Sequence, residues 1–242
     1  ALADLLVGEG ASVAVCGRDE ERVRSTESRL RARGAAGGSG ADALGVVADV
    51  TALGDLEAFV EASVARFGRI DGLVNNAGRS SAALLESVSD EEWQADFALK
   101  VLAAARLTRL AVPHLRAAGG GAIVNVLNIG ARAPGAGSLP TSASRAAGLA
   151  LTKSLSKELA PDAIRVNAIL VGSVESAQWR RFAAAAGRSV DDLYRDLGRD
   201  IPLGRVGRAA EFADLAAFLL SGRASYVTGS AINLDGGASP VA

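Results

Sequence analysis

The chain is 242 residues long, with 49% hydrophobic and 22% charged residues and a formal net charge of −1. That length suits one large α/β domain with a sizeable core. The near-neutral balance, with no long basic run and no apolar run of bilayer length, argues against nucleic acid or a membrane as partner. The single cysteine, Cys16, and the single histidine, His114, supply neither an internal disulfide nor a metal-ligand set, so no metal site is expected and a reducing cytoplasm is the expected location.

The first stretch, Ala1 to Glu9, has helical period, with Gly8 and Gly10 as its stop signal. Six apolar runs follow that read as buried parallel strands: Ser12 to Cys16, Leu44 to Ala48, Gly72 to Val74, Ala122 to Leu127, Ile164 to Leu170 and Ala231 to Leu234. Between them lie amphipathic helices over Glu20 to Arg33, Leu53 to Phe67, Glu91 to Ala117, Ser142 to Leu159 and Ala209 to Leu220. Asp90 is the expected cap of the third of these, and Pro113 a candidate kink near its end. Arg33 to Gly40, rich in Gly, Ala and Ser, reads as a surface loop. The irregular stretch 173–200 carries two short helical patterns, Ala177 to Ala186 and Val190 to Leu197, and is expected to form a substrate lid.

Alternating strand and helix predicts a doubly wound, Rossmann-type parallel sheet in three αβα layers, with residues 1–242 as a single domain. A helix feeding a second strand calls for a first strand before it. No Gly-x-Gly-x-x-Gly stands at a strand end and no methionine occurs. The first strand and its glycine-rich phosphate loop are therefore expected to lie outside the given sequence.

Five segments occur in order: Ala48-Asp49-Val50-Thr51, Asn75-Asn76-Ala77-Gly78, Ile123-Val124-Asn125-Val126, Arg165-Val166-Asn167-Ala168-Ile169, and Tyr226-Val227-Thr228-Gly229 through Leu234-Asp235-Gly236-Gly237. Together they resemble the short-chain dehydrogenase/reductase family over nearly the whole chain. The resemblance implies a seven-stranded parallel sheet, a nicotinamide dinucleotide cofactor, a small-molecule substrate, and a homodimer or homotetramer. Gly17 and Arg18 fall where NAD-preferring members tend to place an acid. A glycine followed by a guanidinium leaves room for a 2′-phosphate and can bind it, so NADP is favoured over NAD. By the same resemblance, Asp49 binds the adenine amino group and Val50 packs on the ring. Asn75, Ala77 and Gly78 admit the adenosine ribose, while Gly172, Val174 and Ser176 border the nicotinamide.

The family's catalytic asparagine, serine, tyrosine and lysine are replaced here by Lys100, Asn128, Thr141 and Arg145, at the family's spacing. A threonine hydroxyl is a weaker and shorter acid than a phenol, and arginine does not release a proton near neutral pH. Arg145 can still bind ribose, and Asn128 can still donate to a carbonyl oxygen. Proton delivery is the altered step. The expected function is NADPH-dependent reduction of a ketone on a small organic substrate, with Lys100, or water held by Asn128 and Thr141, as proton source. The alternatives are a protein that binds cofactor without hydride transfer, and a non-redox dehydratase or isomerase. Trp93 and Trp179 are expected to pack, His114 to sit at a helix end, and Lys153 and Lys157 to be surface groups.

Overall fold

A computed structural model describes residues 1–38 and 40–241. In chain order the elements are α1 (Leu2–Gly8), β1 (Val13–Gly17), α2 (Glu20–Ala36), β2 (Ala43–Val47), α3 (Leu53–Phe67), β3 (Gly72–Asn75), α4 (Asp90–Phe97), α5 (Ala103–Ala117), β4 (Gly121–Asn128), α6 (Thr141–Glu158), β5 (Ile164–Val171), α7 (Ala177–Ala185), α8 (Val190–Arg199), α9 (Ala209–Leu220) and β6 (Ala231–Leu234). All strand pairings are parallel. Helices cover both faces, as strands apolar on both sides require. On β4, Ile123 turns toward Ala111, Val112 and Leu115 of α5, while its neighbour Val124 packs with Ala216 and Leu219 of α9. That alternation is the period-2 pleat of a buried strand.

The six strands form two parallel sheets, β1-β2 and β3-β4-β5-β6. The edges of β1 and β3 are not hydrogen-bonded to each other. They face each other across a gap lined by Val13, Val15, Leu73 and Val74.

Local structure departs from expectation in three places. Helix α2 runs on to Ala36, into the stretch read as a loop; Ser39 of that stretch lies outside the described residues. The cap of α4 is Ser89, one residue earlier than Asp90. Its hydroxyl accepts from Glu92 N, and the Glu92 carboxylate accepts from Ser89 N, so a capping box outcompetes a lone acid. The long helix over Glu91 to Ala117 is three pieces, because Ala98–Leu102 winds as a π-helical turn between α4 and α5. Pro113 sits inside α5, and the departure from α-helical winding lies upstream of it. Cys16 of β1 is half-buried, and burial pushes its thiol above the usual range.

The fourth shared segment acts as a brace. Arg165 projects its guanidinium at the end of α9 and donates to the carbonyls of Leu219 (2.8 Å) and Ser221 (3.0 Å), with a longer contact to Leu220. These are among the carbonyls a helix leaves unpaired at its C-terminus. Asn167 donates to Val227 O and accepts from Ser230 N, pinning the turn before β6. Arg165→Ala strands several part-buried carbonyls at once. It is expected to destabilise the fold by roughly 1–3 kcal/mol, seen as a lower urea midpoint at unchanged m-value.

Candidate active site

In a doubly wound sheet, ligands are held outside the carboxyl ends of the strands. Those ends here are Gly17, Val47, Asn75, Asn128 and Val171. The expected site residues fall into three groups around this rim.

The first group lies past β1 and β2. Arg18 is exposed, and its guanidinium stands 3.7 Å from the Asp49 carboxylate. Asp49 also accepts from Thr51 N (2.9 Å) and Thr51 Oγ1 (2.8 Å). These bonds, with the Arg18 charge adding to them, hold its carboxyl below the usual range. Val50 lines the gap between the sheets.

The second group surrounds the inner end of that gap, where Asn75, Ala77, Lys100 and Arg145 all contribute to its wall. Asn75 is engaged internally. Its amide donates to Asn125 Oδ1 (2.8 Å), and Asn125 donates to Thr152 Oγ1 (2.9 Å), so β3, β4 and α6 are tied by one polar chain. Arg145 donates to Val126 O (2.7 Å), while its Nε is buried without a partner. Desolvation weakens its hold on its proton, opposed by Asp96, yet a guanidinium starts so high that it stays charged. Gly78 explains how the arm fits: a Cβ there would lie 2.5 Å from the Arg145 guanidinium. At the end of β4, Asn128 Oδ1 is likewise buried and unpartnered. Such orphaned polar atoms mark places where a ligand group completes the bonding.

Behind this wall, four side chains interlock. Lys100, carried on the π turn, and Asp96 of α4 form an ion pair with neither side chain exposed. Lys100 Nζ also donates to Thr141 Oγ1 (3.0 Å), and Ser81 N donates to the same oxygen (2.9 Å). Ser144 Oγ donates to the other Asp96 oxygen (2.6 Å). Thr141 is the first residue of α6, where the partial positive charge of a helix N-terminus is concentrated. Burial pushes the Lys100 ammonium below the usual lysine range. Arg145 and Arg79 push the same way, and Asp96 opposes them. Sequence reasoning located Lys100, Thr141 and Arg145 but missed Asp96, Ser144 and Ser81. The one signal was an acid four residues before a lysine on a single helix, a spacing that faces the two together.

The third group lies beyond β5. Gly172 donates to Leu234 O (3.0 Å), and a Cβ on it would meet Asp235. Val174 bridges Gly207, and Ser176 Oγ caps α7 by accepting from Trp179 N. Trp179 stacks at a tilt on Phe182, and Trp93 on Phe97. Among the described residues, no helix is long and apolar enough to cross a membrane.

Parallel strands with helices on both faces define an α/β protein of the doubly wound type. The comparisons narrow this further. The family described as "Enoyl-(Acyl carrier protein) reductase" matches residues 1–239. A short chain oxidoreductase from Pseudomonas aeruginosa PAO1, solved with NADPH and described as containing an atypical catalytic center, superposes with a TM-score of 0.92. It is 38% identical, over 100% of this chain and 92% of that one. L-sorbose reductase from Gluconobacter frateurii, solved with NADPH and L-sorbose, gives a TM-score of 0.92 at 32% identity over 100% and 92% of the two chains. The 3-oxoacyl-[acyl-carrier-protein] reductase of Thermotoga maritima is 37% identical over 79% of this chain and 75% of its own length. The chain belongs to the short-chain dehydrogenase/reductase family, whose members are oxidoreductases.

Proposed function

We propose that the protein reduces the carbonyl of a small organic substrate with NADPH, and that the Thr141 hydroxyl delivers the proton. The observation that carries this reading is the bonding of Thr141 Oγ1. It accepts from Lys100 Nζ and from Ser81 N, so both acceptor positions are filled and its own hydrogen is left to donate.

The residues present fit a nicotinamide dinucleotide. Past the strand ends, Arg145 brings an unpartnered buried N–H and Asn128 an unpartnered buried oxygen. Arg145, in the lysine's place, would bind ribose hydroxyls, with Ala77 and Gly78 giving close backbone approach. Arg18, exposed and held only by a 3.7 Å ion pair, would turn its fork to a 2′-phosphate. Asp49, Val50, Gly17 and Asn75 would border the adenosine half, and Gly172, Val174 and Ser176 the nicotinamide half. When bound, the reduced cofactor supplies the hydride.

The chain's own residues then handle charge and proton. The Asn128 amide donates to the carbonyl oxygen. As negative charge grows on that oxygen, the Thr141 hydroxyl gives up its hydrogen and recovers one from the Lys100 ammonium. A threonine hydroxyl alone is too weak an acid for this step, and the adjacent cation and helix N-terminus favour its transient loss of a proton. Segment 173–200, tied at its base by Glu175 N to Gly207 O (2.9 Å) and Gly207 N to Ser173 O (3.0 Å), would serve as the substrate lid. The reading places the protein in the cytoplasm as a homodimer or homotetramer.

The direct test is titration with NADPH and NADP followed by turnover on a panel of ketones and ketoses. Tight NADPH binding with turnover supports the reading; binding without turnover of any carbonyl would leave a cofactor-binding protein that has lost hydride transfer. Gly78→Ala forces the Arg145 arm aside and is expected to weaken NADPH binding about tenfold or more, read by fluorescence titration against a small change in melting temperature.

A further inference from the structure

Resting on that reading, we infer that Asp96 is the positioning residue of the proton relay: one carboxylate oxygen holds the Lys100 ammonium against Thr141 Oγ1, while Ser144 fixes the other oxygen. The geometry is closed on every side. Asp96 and Lys100 share one face across the junction of α4 and the π turn, and both side chains are fully buried. Ser144 Oγ donates to Asp96 Oδ2 at 2.6 Å. That bond crosses from α6, the helix that carries Thr141 and Arg145. Asp96 therefore ties the element bearing the lysine to the element bearing the hydroxyl.

The charged groups facing Lys100 are few. Asp96 lies on its own helix, Arg145 on α6 and Arg79 on the loop after β3; the two arginines repel an ammonium and only Asp96 attracts it. Without the carboxylate, desolvation and both arginines act unopposed, and Lys100 gives up its proton to solvent at lower pH. A neutral amine cannot return a proton to Thr141. Asp96 is buried away from the gap between the sheets; it also supports the Arg145 cation, an effect that NADPH titration reads separately from the proton relay.

The test is Asp96→Asn, which keeps the shape of the side chain. It can still accept from Lys100 through its carbonyl and present its NH₂ to Ser144 Oγ. The turnover number is followed against pH with a ketone that the wild type reduces, beside NADPH titration. The expected result is NADPH affinity within about twofold of wild type and an alkaline limb moved to lower pH, with kcat near pH 8 reduced ~10-fold or more. In a Lys100→Met background the same change is expected to alter residual kcat less than about twofold, since nothing is left to position. A limb that stays in place in Asp96→Asn, with turnover intact, overturns the role of Asp96 and leaves the reductase reading standing. No wild-type turnover overturns both. If Asp96→Asn does not fold, Ser144→Ala decides the matter: kcat reduced roughly threefold or more at unchanged NADPH affinity supports the role, and unchanged kcat overturns it.

Discussion

Thr141→Val is expected to lower kcat by roughly 10²–10⁴-fold, the usual cost of losing a positioned acid, while leaving NADPH affinity nearly unchanged. Valine matches threonine in shape, so helix α6 keeps its start and the wall of the site keeps its contour. What disappears is one oxygen that accepts from Lys100 Nζ and from Ser81 N. The part-buried Ser81 N–H then loses its acceptor, at about 1–3 kcal/mol, while Lys100 keeps Asp96, so melting curves belong beside the kinetics. Thr141→Ser is the control: it restores the hydroxyl and is expected to recover most of the rate. If valine and threonine turn over a ketone equally well, the hydroxyl is not the proton donor and Thr141 is only a packing residue.

Removing the cation has the larger effect on stability. Lys100→Met leaves the Asp96 carboxylate buried without the ammonium that it is paired with. Breaking a fully buried pair from one side costs about 3–5 kcal/mol. For a chain of this size each kcal/mol lowers the melting temperature by roughly 2–4 °C. The double variant Lys100→Met with Asp96→Asn removes the stranded charge and is expected to recover much of that loss, but not turnover.

The pH dependence separates the two roles of Lys100. A lysine that must be protonated to act supports a rate that is full below its pKa and lost as pH rises through it. Because burial sets that pKa below the usual lysine range, the alkaline limb is expected at lower pH than for an exposed lysine. In the double variant that limb disappears. A rate profile that falls in the same place with and without Lys100 would assign the titration to another group.

Several features of this arrangement were readable from local pattern. Strand ends were placed to within a residue, because runs such as Ile164 to Leu170 are apolar on both faces and only a doubly covered parallel strand uses such a run. Asn128, Thr141 and Arg145 were singled out by the family resemblance, and they lie at the end of β4 and on the first turns of α6. Other features were not readable. The three-residue difference at the end of α2 depends on Gly34 lying against Ala41, a contact between two turns of chain. The choice of Ser89 over Asp90 as cap depends on whether the Glu92 side chain folds back.

What the sequence determined by itself was the order of strands and helices and their hydrophobic faces. These follow from periodicity and spacing, which are local properties of the chain. Only the tertiary structure decided that Lys100 is locked to Asp96, that Ser144 and Ser81 close the network around Thr141, and that Asn75 is spent on Asn125. Those bonds join residues 48 to 60 positions apart or ride on a π turn with no sequence period of its own. Which buried donor meets which acceptor is set by how α4, α6 and β3 are brought together.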